Sequence, residues 1–377
     1  VTAHHRDGSL QDVTRIAKFT SSDSQVAEVV GSQVQTRGNG EVTITVRAGG
    51  KRSQVNLTVS GQDQPEPVSF QYETLAALCK QGCNAGACHG SPSGKGGFRM
   101  SLRAFDPTLD EVTLIREDYG RRANVLDPPQ SLLLLKPMMK VPHGGGRHLK
   151  STDPSYTVLS NWIGEGCRLD DADRPKCVKL EVYPPSGRVL KRPAHTQQLN
   201  VLAHFEDGSV RDVTPLAVYS SSNEEVASVK VEGLVVGHDR GEIAVVVRYL
   251  EFIESTFLTF VKEVDGYAWQ ESPQNNYVDE LVDKKLEQLK YLPSDICNDD
   301  EFLRRVYLDT IGLLPTVDEV EQFAADTAGD KRARVIDHLL ERSEFAKFWA
   351  LKWGDLLRLT SSQVGAEGVY KYHRWVE

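Results

Sequence analysis

The feature that most constrains the fold is a repeat. Residues 1–29, "VTAHHRDGSLQDVTRIAKFTSSDSQVAEV", lie over residues 201–229, "VLAHFEDGSVRDVTPLAVYSSSNEEVASV", without a gap. His4, Asp7, Gly8, Ser9, Asp12, Val13 and Thr14 recur at His204, Asp207, Gly208, Ser209, Asp212, Val213 and Thr214. After each copy comes a further strand pair, "GEVTITVRAGGKRSQVNLTV" in the first and "GEIAVVVRYLEFIESTFLTF" in the second. Apolar and polar residues alternate through "TITVRAG" and "SQVNLTV", the period of half-buried strands, and Asp-Gly and Gly-Gly mark the turns. The same module is therefore written twice around an insertion. Short strands at this spacing predict a small β-sandwich for each copy, with Asp-Gly-Ser as a hairpin turn.

Both copies resemble the bacterial Ig-like group 2 domain, through "DGS-x-x-DVT", the "SS(D/N)-x-x-VA-x-V" run and the closing "GE-x-x-x-x-V". The second copy is preceded by "VKLEVYPPSGRVLKRPAHTQQLNV", its expected first strands. The first copy lacks that stretch, so the chain is expected to begin inside a domain, with room for a leader or anchor before it. The resemblance implies spacer or adhesion modules. Two linkers, "SGQDQPEP" (60–67) and "DGYAWQESPQNN" (265–276), frame the rest.

The totals exclude several functions. A formal net charge of −9 leaves nothing to neutralise phosphates, which argues against nucleic acid. Basic and acidic residues are interspersed, so there is no polybasic membrane tether. No apolar run reaches the roughly 18 residues of a transmembrane segment. Six cysteines in 377 residues are too few for a disulfide scaffold, and three of them crowd into "LCKQGCNAGACHG" (78–90), which favours a site.

Around that cluster, residues 71–170 read as helix and loop. "SFQYETLAALCKQGC" predicts a helix of about three turns with Tyr72, Leu75, Ala76, Cys79 and Cys83 on one stripe. "DPSYTVLSNWIGEGC" predicts another, with Asp153 as N-cap, Pro154 in its first turn, and Tyr156, Leu159, Trp162 and Ile163 as its apolar face. Gly-rich loops, "HGSPSGKGGF" and "KVPHGGGRHL", lie between them around "SLLLLKP". A helix ending in cysteines and His, then loops, then a helix with a buried aromatic, is the plan of a small c-type cytochrome. Covalent haem needs two thiols for thioether bonds and an adjacent His as proximal ligand. Cys88 and His89 supply the adjacent pair. Cys83 lies five positions before Cys88, where the usual spacing is three, so the extra residues must loop out.

Other readings stay open. Zinc favours paired Cys-x(2–4)-Cys units, and there is no second pair. A radical-SAM cluster needs Cys-x-x-x-Cys-x-x-Cys, whereas this chain has Cys-x-x-x-Cys-x-x-x-x-Cys. "GSPSGKGG" misses the P-loop spacing, and "HGGG" at 143–146 has no G-x-S-x-G elbow to serve. Another metal or cluster, or disulfides alone, remain as alternatives to haem.

"CNAGACHGSPSGKGGFRMSLRAFDP", then "GRRANVLDPPQSLLLLKPMMKVPHGGGRHL", then "YTVLSNWIGEG", resemble the cytochrome-c-like region of large multidomain planctomycete proteins. Those proteins also carry group 2 Ig-like domains and domains of unknown function. There, a Met-Pro-Pro segment supplies the distal methionine; this chain has "KVPHGGG", with Val141 at that place. His143 is the first choice for the distal ligand and Met139 the second, with His148 a surface residue. Bis-His ligation lowers the potential and closes the iron; with neither ligand the iron is five-coordinate and open to catalysis. Cys79 is left over: it is expected near the haem edge, as a disulfide partner of Cys167 or Cys177, a third attachment, or a thiolate ligand. Arg99, Arg121, Arg122 and Arg147 are candidates for neutralising haem propionates.

From Tyr277 the pattern is helical, with Thr316 and Glu319 forming a capping box. "FLRRVYLDTIGLLPT" and "FAKFWALKWGDLL" resemble the start of the domain of unknown function in the same proteins. Phe345, Phe348, Trp349 and Trp353 read as core, and Cys297 as a buried free thiol. The expected architecture is multidomain: Ig-like β-sandwiches at 1–61 and 177–264, a mostly α cytochrome-like haem domain at 70–170 between them, and an all-α domain at 275–377. The function expected is that of an exported or periplasmic c-type cytochrome with one covalent haem and a redox partner protein. Its alternatives are a haem enzyme or sensor with an open iron, and an envelope- or carbohydrate-binding protein whose cysteines are only structural.

Overall fold

The computed structural model describes residues 1–6 and 9–377. The chain divides into two compact units, Val1–Leu292 and Pro293–Glu377. Asp7 and Gly8, two of the turn residues singled out in the first repeat, lie outside the described residues.

Both repeats fold as β-structure in matching register. In the first, Lys18–Ser21, Gly40–Ala48 and Lys51–Val59 form an antiparallel sheet, with Lys18 opposite Arg47 and Phe19 opposite Val46. In the second, Val218–Ser221 pairs with Gly241–Tyr249 so that Val218 faces Arg248 and Tyr219 faces Val247. The one-residue offset between copies is absorbed in the preceding hairpin. Val30 faces Gln33 across a two-residue turn in the first copy, whereas Lys230 to Gly233 make a longer loop in the second. The second copy adds Cys177–Tyr183 and Arg188–Lys191, the latter pairing in parallel with Phe252–Val261. Its Asp-Gly-Ser turn is seen directly: Gly208 has φ +81° and Ser209 N–H donates to Asp207 at 2.9 Å.

The inserted segment shares a core with the second sandwich. Phe70–Thr74, a wide helical turn, runs into the helix Leu75–Lys80, and Leu75 to Cys79 are all buried. Tyr72 packs edge-on against Phe205 at 5.2 Å, and its hydroxyl accepts from Cys177 N–H at 3.2 Å. Lys80 crosses to the sandwich, where its ammonium donates to the carbonyls of Ala217 and Val231 and lies 4.7 Å from the Tyr219 ring centre.

Asp170 ties the end of the insertion to its beginning. Its carboxylate accepts from Ser69 Oγ at 3.0 Å, from the N–H groups of Phe70 at 3.2 Å and Gln71 at 2.8 Å, and from Arg174 at 2.9 Å. These are donors that a helix start leaves without intrahelical partners. Asp170→Ala is expected to cost about 2–3 kcal/mol, the loss of a cap and of charge-assisted bonds in a partly buried place. A urea unfolding curve shows this as a lower midpoint at unchanged slope.

The first helix is shorter than the spacing predicts. It stops at Lys80 because Gly82 takes φ +72° and Cys83 N–H reaches back to Leu78 carbonyl at 3.0 Å, a glycine-based stop. Cys83 therefore sits beyond the helix and off the Cys79 stripe. The second predicted helix is observed at Pro154–Gly164, with Leu159, Trp162 and Ile163 buried.

In the second unit, helices Asp299–Ile311, Val317–Ala325, Lys331–Glu341, Ser343–Leu356 and Ser361–Val376 enclose a core of Leu303, Tyr307, Ile311, Phe323 and Leu339. The Thr316–Glu319 capping box is present. Helix Tyr277–Leu289, expected to open this domain, belongs instead to the first unit, where Lys285 pairs with Glu242 at 2.6 Å. Trp349 and Trp353 are exposed at 39% and 53%, so half of the aromatic group expected in the core lies at the surface. Cys297 is only half-buried.

Candidate functional site: a cavity lined by two thiols and three imidazoles

The four-residue gap between Cys83 and Cys88 closes on itself through backbone bonds. Cys88 N–H donates to Ala85 carbonyl at 2.9 Å, Gly90 N–H to the same carbonyl at 3.0 Å, and His89 N–H to Cys83 carbonyl at 3.0 Å. The extra residues are thus looped out while Cys83 and His89 are drawn together. Gly90 is required by this closure: a Cβ there would meet Asn84 carbonyl oxygen at 2.0 Å. Gly90→Ala is expected to destabilise the segment by about 1–3 kcal/mol, the range for overpacking. Thermal unfolding against wild type checks it.

Cys83, Cys88 and His89 line one cavity of about 390 Å³. Leu132, Leu133 and Pro137 supply apolar wall, and the Gly-rich loop brings His143 to the same space. Pro137 carbonyl accepts from His148 N–H at 2.9 Å and Leu149 N–H at 3.1 Å, which closes the loop that carries His143. The His89 and His143 ring centres are 6.3 Å apart with planes 20° from parallel.

Each of these imidazoles is fixed by its Nδ1. His89 Nδ1 donates to Phe98 carbonyl at 3.0 Å, and His143 Nδ1 donates to Gly146 carbonyl at 2.8 Å. A proton held at Nδ1 puts the lone pair at Nε2, the atom that binds a metal. Burial lowers the His89 pKa, against the opposing pull of the Phe98 carbonyl, and so favours the neutral ring that ligation needs. Burial pushes the Cys83 thiol up to about 12, with Cys88 and Cys79 adding to the shift.

The other expected residues fall differently. Cys79 is buried in the core, where Asn84 Nδ2 donates to its sulfur at 3.0 Å; it is absent from the cavity wall. The early helix stop separates it from Cys83. All six cysteines are unpaired, so the expected link from Cys79 to Cys167 or Cys177 is not formed. Met139 is 44% exposed and also absent from the wall, because the chain turns at its φ of +59°. Arg121 and Arg122 both line the cavity. Arg122 is committed to protein: it pairs with Asp118 at 2.8 Å and donates to the carbonyls of Thr113 and Gly97. Arg121 is mostly exposed and also pairs with Asp118, at 3.3 Å.

Sequence reasoning missed Lys95 and Lys136, which join the two arginines in the wall while no carboxylate does. Their signal was present: residues 78–150 hold eleven Lys and Arg against six Asp and Glu, a net of +5 in a chain of −9. Among the described residues no group of three or more His, Cys, Asp or Glu side chains could hold a metal ion. A haem iron needs only two axial side chains. Among the described residues no helix is long and apolar enough to cross a membrane.

Residues 277–377 match the family PSCyt2, described as a protein of unknown function (DUF1549). No curated protein matches. Among solved structures, domains 4–9 of the surface layer protein SbsC are 9% identical over 70% of this chain and 25% of that one, with a TM-score of 0.21. Domains 1–6 of the same protein are 10% identical over 70% of this chain and 23% of that one, with a TM-score of 0.20. This chain thus spans about a quarter of those structures, and at such TM-scores the likeness carries no argument.

Proposed function

We propose that the chain is an exported or periplasmic c-type cytochrome that carries electrons on one covalent haem. The observation that supports this most is the meeting of Cys83, Cys88 and His89 on one wall of a largely apolar cavity. Each thiol would add across a vinyl group, its proton passing to the neighbouring vinyl carbon, so attachment consumes no oxidant. His89, oriented by Phe98 carbonyl, would be the proximal ligand. The bound haem supplies a one-electron couple whose potential the axial ligands and burial set. Arg121, Lys95 and Lys136 would face its propionates and present a basic mouth to an acidic redox partner.

The cavity chemistry fits the group. Its lining combines apolar Leu132, Leu133 and Pro137 with basic Lys95, Arg121 and Lys136, two thiols and the imidazole of His89. A redox titration of the purified holoprotein tests the function. A reversible one-electron wave, unaltered over repeated cycles, is expected. Turnover of peroxide or irreversible oxidation would instead mark an enzyme with an exchangeable iron site.

A further inference from the structure

We infer that His143 is the second axial ligand, making this a closed bis-histidine site rather than an open one. The inference rests on the haem reading above and deepens it, because the ligand set decides between electron transfer and catalysis.

Three observations carry it. First, the separation fits. A metal bound by two imidazole nitrogens at about 2.0–2.1 Å each puts the ring centres about 6 Å apart. His89 and His143 are at 6.3 Å with nearly parallel planes. Second, the tautomers match. Both rings give their Nδ1 proton to a backbone carbonyl, Phe98 for one and Gly146 for the other, so both offer Nε2. One imidazole anchored this way is common; two anchored alike across one cavity form a matched pair of ligands. Third, the loop is held to present His143. Its two ends meet at Pro137 carbonyl, and Gly146, at φ +79°, supplies the left-handed turn that brings its own carbonyl back to His143 Nδ1.

The rivals are placed elsewhere. His148 lines the cavity, but its Nε2 is engaged with Gly145 carbonyl at 2.8 Å and its ring is exposed. Met139 is outside the wall. Met138 packs against the core.

The test uses the holoprotein, wild type beside His143→Ala, His143→Met and His148→Ala. Visible spectra and CO addition to the ferrous form are the readouts. Wild type is expected to be low-spin in both oxidation states and to show no CO adduct. His143→Ala should become high-spin and bind CO at one equivalent per haem. His143→Met should stay low-spin with a raised potential, because a thioether donates less charge to iron than imidazole does. His148→Ala should match wild type.

A wild type that binds CO stoichiometrically, or a His143→Ala protein that keeps the wild-type low-spin spectrum, overturns the inference while leaving the haem reading intact. Conversion by His148→Ala alone overturns it in the same way. If His143→Ala fails to fold, the wild-type CO result still decides. Absence of haem from the intact mass removes the reading and this inference together.

Discussion

Cys83→Ala/Cys88→Ala should abolish covalent haem completely. Expressed beside wild type with the cytochrome c maturation machinery active, the double variant is expected to run at its apoprotein mass and to show no haem band after denaturation. Each single variant should keep at most one thioether, with correspondingly weaker retention. The backbone bonds that close residues 83–90 leave Cys83, Cys88 and His89 lining one cavity, and no other cysteine lines it. Cys79→Ser is the matching control. Its sulfur faces Asn84 inside the core, so that variant should bind haem like wild type at some cost in stability. Mass spectrometry of the denatured proteins reads all four outcomes.

Trp162→Ala should produce the largest loss of stability in the first unit, about 3–5 kcal/mol. Trp162 is fully buried, and its ring lies 5.6 Å from that of Phe70. Its indole N–H donates to Arg168 carbonyl at 2.8 Å. Truncation would leave a cavity between the helix Pro154–Gly164 and the start of the insertion, and would orphan that carbonyl. Trp162→Phe should lose about half as much, retaining ring volume but not the hydrogen bond. Because the insertion and the second sandwich share one core, both should unfold together; a calorimetric trace resolves this as one shifted transition rather than the loss of a separate one.

What the sequence disclosed follows from how local each signal is. The repeats were legible because alternation and turn residues are written within a few positions, and the register of Phe19 with Val46 recurs as Tyr219 with Val247. That Cys83, Cys88, His89 and His143 share one cavity was legible because they fall in two short motifs that bracket the insertion's loops. Cys79 was misplaced because helical spacing was continued through Gly82, where positive φ ends the helix. Met139 was misplaced because nothing in "KPMMK" reveals that the turn carries its side chain to the surface.

Two of the basic residues were hidden for another reason. Lys95 and Lys136 are some forty positions apart, and only folding brings them to one cavity with Arg121 and Arg122. The docking of helix Tyr277–Leu289 on the first unit was likewise invisible, since its amphipathic pattern names no partner. The exposure of Trp349 and Trp353 reverses the usual expectation for large aromatics, and leaves apolar surface on the second unit.

The most direct test of the account is the intact mass of the wild-type chain, produced with the maturation machinery active, together with its pyridine haemochrome spectrum. The account predicts apoprotein mass plus one haem, resistant to denaturation, and bands marking two saturated vinyl groups. A colourless protein at apoprotein mass would contradict it.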